Sequence, residues 1–269
     1  MTATENIILT EEKETLFIPL YGKAMDYRSK KPVLNDSMAN DIVKKIGIDF
    51  TKHKRFGSSI SAVRAKQYDE WTKDFIAKNK NAVVVHLGCG LDARITRTQP
   101  SSSITWFDVD YPEVITLRKQ FYSETDEYKM TASSITAPNW LETIPANRPA
   151  LIIAEGVFEY LSEEEVKTLL NRLTDYFSHG QIAFDVMSSS AVKNRKEKLE
   201  KTTGAVNKWA IDDISEMDKL NPKLKRIDVT PLFKSVFIIQ LPWMFRFIIS
   251  LLTVFPKYKN AMRLLRYDF

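Results

Sequence analysis

The chain reads as an α/β protein with a mostly parallel sheet and helices on both of its faces. Three observations predict this. Residues 83–94 (VVVHLGCGLDAR) are a run of β-branched apolar residues ending in Gly88-Cys89-Gly90. That is the pattern of a buried strand entering a tight glycine turn, where backbone can come close to a ligand. About 20 residues on, a second apolar run ends in Asp108 and Asp110, the spacing of a nucleotide-binding strand–helix–strand unit. Apolar runs then keep alternating with helical patterns, which implies parallel strands.

Taken in order, residues 10–78 read as helical. Thr10 and the acids after it look like a cap and first turn, and Leu16, Phe17, Leu20 and Met25 supply apolar positions, with a break expected at Pro19. Asn35 or Asp36 can cap a helix over Ser37–Ile46. A longer helix over residues 58–79 would bury Val63, Tyr68, Trp71, Phe75 and Ile76. The first strand is assigned to residues 82–87 and the second to 104–109. A helix over 113–123 follows, entered through Pro112. The third strand lies near 129–133 and the fourth at 150–155 (ALIIAE). Ser162-Glu163-Glu164-Glu165 is a capping box opening a helix to about residue 177, and the fifth strand is 181–187.

Beyond the fifth strand the pattern loosens. Residues 188–203 read as a polar helix or lid and 211–220 as a short helix, with further strands at 224–229 and 263–269. The organisation expected is an N-terminal helical cap (1–80) on an α/β core (81–269). Lid elements fall at about 188–222 and 232–258, and the whole forms one compact domain.

Composition narrows the function classes. Of 269 residues, 44% are hydrophobic and 27% charged, which is ordinary for a globular protein. The net charge is +5, but the basic residues are dispersed. Residues 193–201 (KNRKEKLEK) interleave with Glu197 and Glu200 as on a solvated helix face, so no nucleic-acid partner is expected. Cys89 is the one cysteine, which rules out an internal disulfide and a cysteine-based zinc site, and no metal is expected. A reducing, cytoplasmic setting fits, and the first residues lack the pattern of a signal peptide. Residues 236–255 (VFIIQLPWMFRFIISLLTVF) approach the length of a membrane span, roughly 20 residues. Arg246, Pro242 and Gln240 argue against one, and a buried helix or an apolar lid over a binding site is expected instead. Peripheral membrane contact and oligomeric state stay open.

Three sets of polar groups carry the chemistry. Gly88 and Gly90 let backbone approach a ligand, and Ala93 stands where a dinucleotide fingerprint has its third glycine. Asp92 in that turn would repel a pyrophosphate, which favours S-adenosylmethionine over NAD. Asp110 or Asp108 can accept both ribose hydroxyls; both side chains fall on one face of the strand, so pattern does not choose between them. Glu155 closes the fourth strand at the carboxyl edge, where a carboxylate can face a cationic cofactor. Lys23 and Arg64 can bind the cofactor carboxylate, although each alone is an ordinary surface charge.

Five stretches carry a family resemblance: HLGCGLDAR (86–94), WFDVDYPEVITLRK (106–119), AEGVFEYLSEEEV (154–166), YGKAMDYRSKKPVLNDSMANDIV (21–43) and VRAKQYDE (63–70). The chain resembles the leucine carboxyl methyltransferase family, which includes protein-phosphatase carboxyl methyltransferases and polyketide-type O-methyltransferases. The similarity spans about residues 15–187 well and the last third loosely. It implies a Rossmann-like class I methyltransferase fold with an added helical cap. It also implies roles: Lys23 and Arg64 at the cofactor carboxylate, Gly88 at the methionine part, Asp110 at the ribose, Glu155 near the amino group. Where the family has an acid near the adenine, this chain has Ser134, followed by Ile135 and later Trp140. A serine hydroxyl accepts a hydrogen bond without charge.

The function expected is S-adenosylmethionine-dependent O-methylation of a small, apolar molecule at a carboxyl or hydroxyl. Methylation of a protein C-terminus and non-catalytic cofactor binding are the alternatives. An ionised carboxylate acceptor needs no base. An alcohol or phenol acceptor benefits from one. Tyr160, Glu159 and Asp185 are the candidates, with three histidines: His86 in a strand, His179 in a glycine turn and His53 between lysines.

Overall fold

The computed structural model describes residues 9–46 and 58–269, so His53 lies outside the described residues. Among the described residues seven strands form one sheet: β1 (Val83–Leu87), β2 (Thr105–Asp110), β3 (Tyr128–Ala132), β4 (Ala150–Ala154), β5 (Gly180–Met187), β6 (Lys225–Pro231) and β7 (Met262–Asp268). Their order is β3-β2-β1-β4-β5-β7-β6. β1 to β5 pair in parallel, and β7 runs antiparallel between β5 and β6. The mostly parallel sheet is as expected. β1 and β4 are buried along their whole length, as strands covered on both faces must be.

Alternation along the strands divides the apolar residues between two cores. Val84, Trp106, Leu151, Ile153 and Leu264 face one way, with Leu20, Ile42, Val63, Trp71 and Phe75 of the N-terminal helices. Val83, Val85, Leu87, Ile152, Phe184 and Leu265 face the other, against Val166, Leu169, Leu170 and Leu173. The first core is covered by α1 (Phe17–Tyr27), α2 (Ser37–Ile46) and α3 (Ser58–Lys78), with α4 (Arg94–Thr98) and α5 (Pro112–Arg118). The second is covered by α6 (Glu163–Tyr176), whose capping box is complete: the Glu165 amide donates to Ser162 Oγ at 3.3 Å, and Glu165 accepts from the Ser162 amide at 2.7 Å.

Several boundaries differ from the sequence reading. Pro19 does not break the first helix. It sits in the opening turn of α1, where an amide hydrogen would be unused, and a 3-10 turn over Glu11–Leu16 precedes it. Thr10 makes no side-chain cap bond, and Met25 is exposed. Asp36, not Asn35, caps α2, accepting from the Ala39 amide at 2.9 Å. α5 stops at Arg118, where the Phe121 amide closes a tighter turn at 2.9 Å, instead of running to residue 123.

The last third holds α7 (Ser189–Thr203), α8 (Ile214–Leu220), α9 (Trp243–Leu252) and α10 (Pro256–Lys259). The expectation of a buried helix over residues 236–255 is corrected. Pro242 divides the stretch into a 3-10 turn, Val236–Gln240, and α9, and most of its large side chains are in solvent. No described helix is long and apolar enough to cross a membrane.

Candidate functional site

The strand order reverses between β1 and β4: the chain goes outward from β1 to β3, then returns to lay β4 on the other side. Open α/β sheets bind ligands at the carboxyl ends of strands beside such a reversal. A cavity of about 530 Å³ lies there. Its wall includes Lys23, Arg64, Gly88, Gly90, Asp110, Ser134, Ile135 and Glu155, so one space gathers every residue expected to touch a cofactor.

The glycine turn forms one side. Gly88 and Gly90 have φ of +58° and +51°, the left-handed region that side chains resist, and a Cβ on Gly88 would fall 2.5 Å from a Val157 methyl. The Gly90 amide donates to Asp110 Oδ2 at 2.7 Å and the Tyr111 amide to Oδ1 at 2.8 Å. Burial pushes the Asp110 carboxyl up to about 6 despite those two amides. Asp108 lies elsewhere. Fully buried and off the cavity wall, it accepts from Trp106 Nε1 at 2.8 Å and Tyr128 OH at 2.6 Å and pairs with Arg118 at 2.5 Å. Burial opposes its charge most strongly, but Arg118, His86 and the Tyr128 hydroxyl together outweigh it and hold the carboxyl at about 2. The structure thus separates two acids that the pattern left equivalent.

A buried ion-pair lattice forms the opposite side. Arg64 on α3 donates to Glu155 at 3.0 Å and to Asp185 at 3.1 Å. Lys23 on α1 pairs with Asp92 and lies 3.9 Å from Glu155. Arg94 joins Glu155 to Asp69, and Arg97 joins Asp36, Asp69 and Asp92. Burial works against the charge of Arg64, yet Asp185 and Glu155 hold its guanidinium above its ordinary range. Glu155 is likewise held low by Lys23, Arg64 and Arg94. Asp92 is therefore not the free negative charge that the sequence suggests, and Arg97 and Lys23 keep it ionised against burial. What disfavours a pyrophosphate is the wall as a whole, with six carboxylates against five lysines and arginines. That balance suits a ligand of net positive charge.

Ser134 Oγ lies 2.8 Å from Thr136 Oγ1, and Trp140 fixes the next residue by donating to the Ile135 carbonyl at 3.0 Å. Tyr160 and Glu159 are on the wall. Asp185 is behind it, held by Arg64, Tyr68 OH at 3.1 Å and the Gly156 amide at 2.7 Å. Burial raises both Glu159, against the pull of Arg195, and Tyr160. His179 is exposed in its turn, and His86, buried on the wall, is driven toward neutrality by desolvation. Cys89 is buried with its thiol pushed far up by desolvation, as fits a packing residue.

Sequence reasoning missed Arg195. It belongs to the stretch read as a solvated face, yet it turns inward to Glu159 at 3.0 Å and lines the cavity. Nothing in its spacing marks it out. It also missed Arg94, 0% exposed at the centre of the lattice, whose signal was only its place in the glycine turn.

These residues fit S-adenosylmethionine: a left-handed glycine turn, a buried carboxylate able to accept vicinal hydroxyls, and mixed charges suited to an amino-acid end. The comparisons agree. The leucine carboxyl methyltransferase family model matches residues 17–174. Over 268 residues the chain is 35% identical to the tetracenomycin polyketide synthesis O-methyltransferase TcmP of Streptomyces glaucescens, covering 98% of this chain and 99% of that one. It is 32% identical over 243 residues to the S-adenosyl-L-methionine-dependent methyltransferase dpfgK of Gibberella zeae, covering 81% and 82%. Two solved structures share the fold. A putative methyltransferase from Thermobifida fusca has a TM-score of 0.62 at 15% identity, over 96% of this chain and 94% of that one. The magnesium protoporphyrin IX methyltransferase of Synechocystis has 0.51 at 10%, over 86% and 94%. The chain belongs to the leucine carboxyl methyltransferase family and is an S-adenosylmethionine-dependent methyltransferase on a Rossmann-like class I fold.

Proposed function

We propose that this chain methylates an oxygen, carboxyl or hydroxyl, of a small and largely apolar acceptor. The observation that carries the reading is the apolar share of the cavity lining. Besides the residues assigned to the cofactor, the wall carries Leu16, Ile18, Leu161, Met187, Leu232, Phe233 and Met262, together with polar groups that include Arg195 and Glu159. Such a space excludes water and receives an apolar body, while one cation can meet an anionic oxygen. The likeness to TcmP, a tetracenomycin polyketide synthesis O-methyltransferase covered over 99% of its length, supports the oxygen and the small acceptor.

In this reading Gly88 and Gly90 admit the methionine part, Lys23 and Arg64 hold its carboxylate end, and Glu155 meets the amino group. Asp110 accepts from the ribose hydroxyls, while Ser134 and Ile135 border the adenine. The bound cofactor supplies an electrophilic methyl. The chain's own residues align the acceptor and keep water away, which is where most of the rate arises in a displacement of this kind. Tyr160, raised by burial, makes a poor base. Glu159 on the wall is the group able to take a proton from an alcohol, and an ionised carboxylate needs none. The lone buried Cys89 suits a reducing, cytoplasmic setting.

Calorimetric titration with S-adenosylmethionine and with NAD is the first test, with binding expected for the former alone. Labelled methyl transfer in a cell extract, followed by organic extraction, then reads the acceptor. Label in the organic phase is expected. Label retained on protein would instead favour methylation of a protein C-terminus.

A further inference from the structure

The loop between β6 and β7 breaks the rule that a surface helix shows solvent its polar side. On α9, Phe245 and Ile249 pack inward, yet Trp243, Met244, Phe247 and Leu251 form an apolar stripe on the outward face, 76%, 53%, 58% and 54% exposed. Val236 and Ile239 before the helix and Val254 and Phe255 after it extend the stripe. Ten of the fourteen large hydrophobics exposed among the described residues fall between Val236 and Tyr258, so this is one patch and not scatter.

Its charge has one sign. No Asp or Glu occurs from Val229 to Tyr267. Lys234, Arg246, Lys257 and Lys259 are exposed, and none has an acidic partner among the described residues. Unpaired lysines around a fully apolar face are unlike a subunit interface, where lysine is depleted. Trp243 at the start of α9 and Tyr258 at the end of the patch, with Arg246 near the first and Lys257 and Lys259 flanking the second, are the arrangement of a segment lying in a lipid headgroup layer. Length excludes spanning, since α9 has 10 residues.

We propose that α9 and its flanks seat this protein on an anionic lipid bilayer surface, the apolar stripe entering the headgroup boundary and the four cations facing acidic lipids. The seat adjoins the cavity, because both ends of the loop line it: Leu232 and Phe233 where the chain leaves β6, Ala261 and Met262 where it enters β7. Phe233 also lines the shallow groove between the Val236–Gln240 turn and α9. Phe233 thus borders both the groove and the cavity, which would bring an apolar molecule dissolved in the lipid next to the cavity wall.

Trp243 makes the test direct. Of five tryptophans, Trp71, Trp106, Trp140 and Trp209 are buried, so iodide quenching of the intact protein reports on Trp243. With phosphatidylcholine vesicles containing phosphatidylglycerol, the protein is expected to co-sediment, and Trp243 to shift blue and escape iodide. Pure phosphatidylcholine is expected to hold it far more weakly, and added salt to release it. Each lysine facing acidic lipid contributes about a fivefold factor in partitioning. Lys257→Glu with Lys259→Glu, and separately Phe247→Glu, are expected to abolish co-sedimentation while leaving S-adenosylmethionine titration unchanged. Protein that stays in the supernatant with anionic vesicles, or binds neutral and anionic vesicles alike, overturns the proposal. So does Trp243 already shielded from iodide without lipid in a dimer seen by sedimentation equilibrium, which would assign the face to a second copy. Loss of cofactor binding in the unaltered protein would count against the function proposed above and leave vesicle binding to stand or fall by itself.

Discussion

Asp110 sits at the balance point of the site. Its carboxyl ionises near 6 in the fold against 3.8 as a free side chain, so the folded state holds this proton more tightly. The stability drawn from that difference is whole below 3.8 and is lost as pH rises to about 6. Ribose recognition has the opposite sign, because only the ionised form accepts from both hydroxyls. S-adenosylmethionine affinity is therefore expected to fall as pH drops through about 6, with protons released on binding near that pH. Titration calorimetry in buffers of differing ionisation enthalpy checks both, and Asp110→Asn is expected to bind weakly and flatten the profile. Gly88 permits a cleaner dissection. Gly88→Ala imposes a left-handed alanine, about 1–2 kcal/mol, and a clash with Val157. Adding Val157→Ala is expected to relieve the clash and restore part of the lost thermal stability; equal melting of single and double variants would show that backbone strain is the whole effect.

The capping box of α6 separates helix stability from ligand contact, because its Glu165 is on the cavity wall while its Ser162 is not. Ser162→Ala is expected to cost about 1 kcal/mol in urea unfolding and to leave cofactor affinity intact. That box was legible because two side chains three residues apart make it. β1, β2, β4 and β5 were legible too, as apolar runs bounded by turn residues. What escaped was set by partners distant in sequence. α5 ends where Arg118 is drawn into Asp108 and the Gly90 carbonyl, and no local pattern announces either contact. Arg195 looked like its solvated neighbours until the fold placed Glu159 beside it. The choice between Asp108 and Asp110 likewise needed the third dimension. Residues 236–255 were misjudged for a different reason: apolar composition predicts removal from water, and the described chain does not provide the cover.

The cavity joins two bodies of structure. Lys23 and Arg64 come from the helices over the sheet, and they meet Glu155 and Asp185 at the ends of β4 and β5. A ligand held at both sides ties them together. S-adenosylmethionine at about a hundred times its dissociation constant is expected to stabilise the fold by about 2.7 kcal/mol. Amide exchange across α1, Phe17–Tyr27, is expected to slow with it; exchange unchanged there would mean that Lys23 takes no part in holding the cofactor.

The position of β7 has a bearing on how the chain assembles. Among the described strands it is last in sequence but next to last across the sheet, and β6, made before it, pairs with no other described strand. During synthesis the parallel strands emerge in order, and β5 is left with a bare hydrogen-bonding edge. In the finished fold β6 reaches that edge only through β7, which is synthesised after it. The nascent sheet thus waits, open on one side, until the closing pair between Gly180 and Phe269 can form.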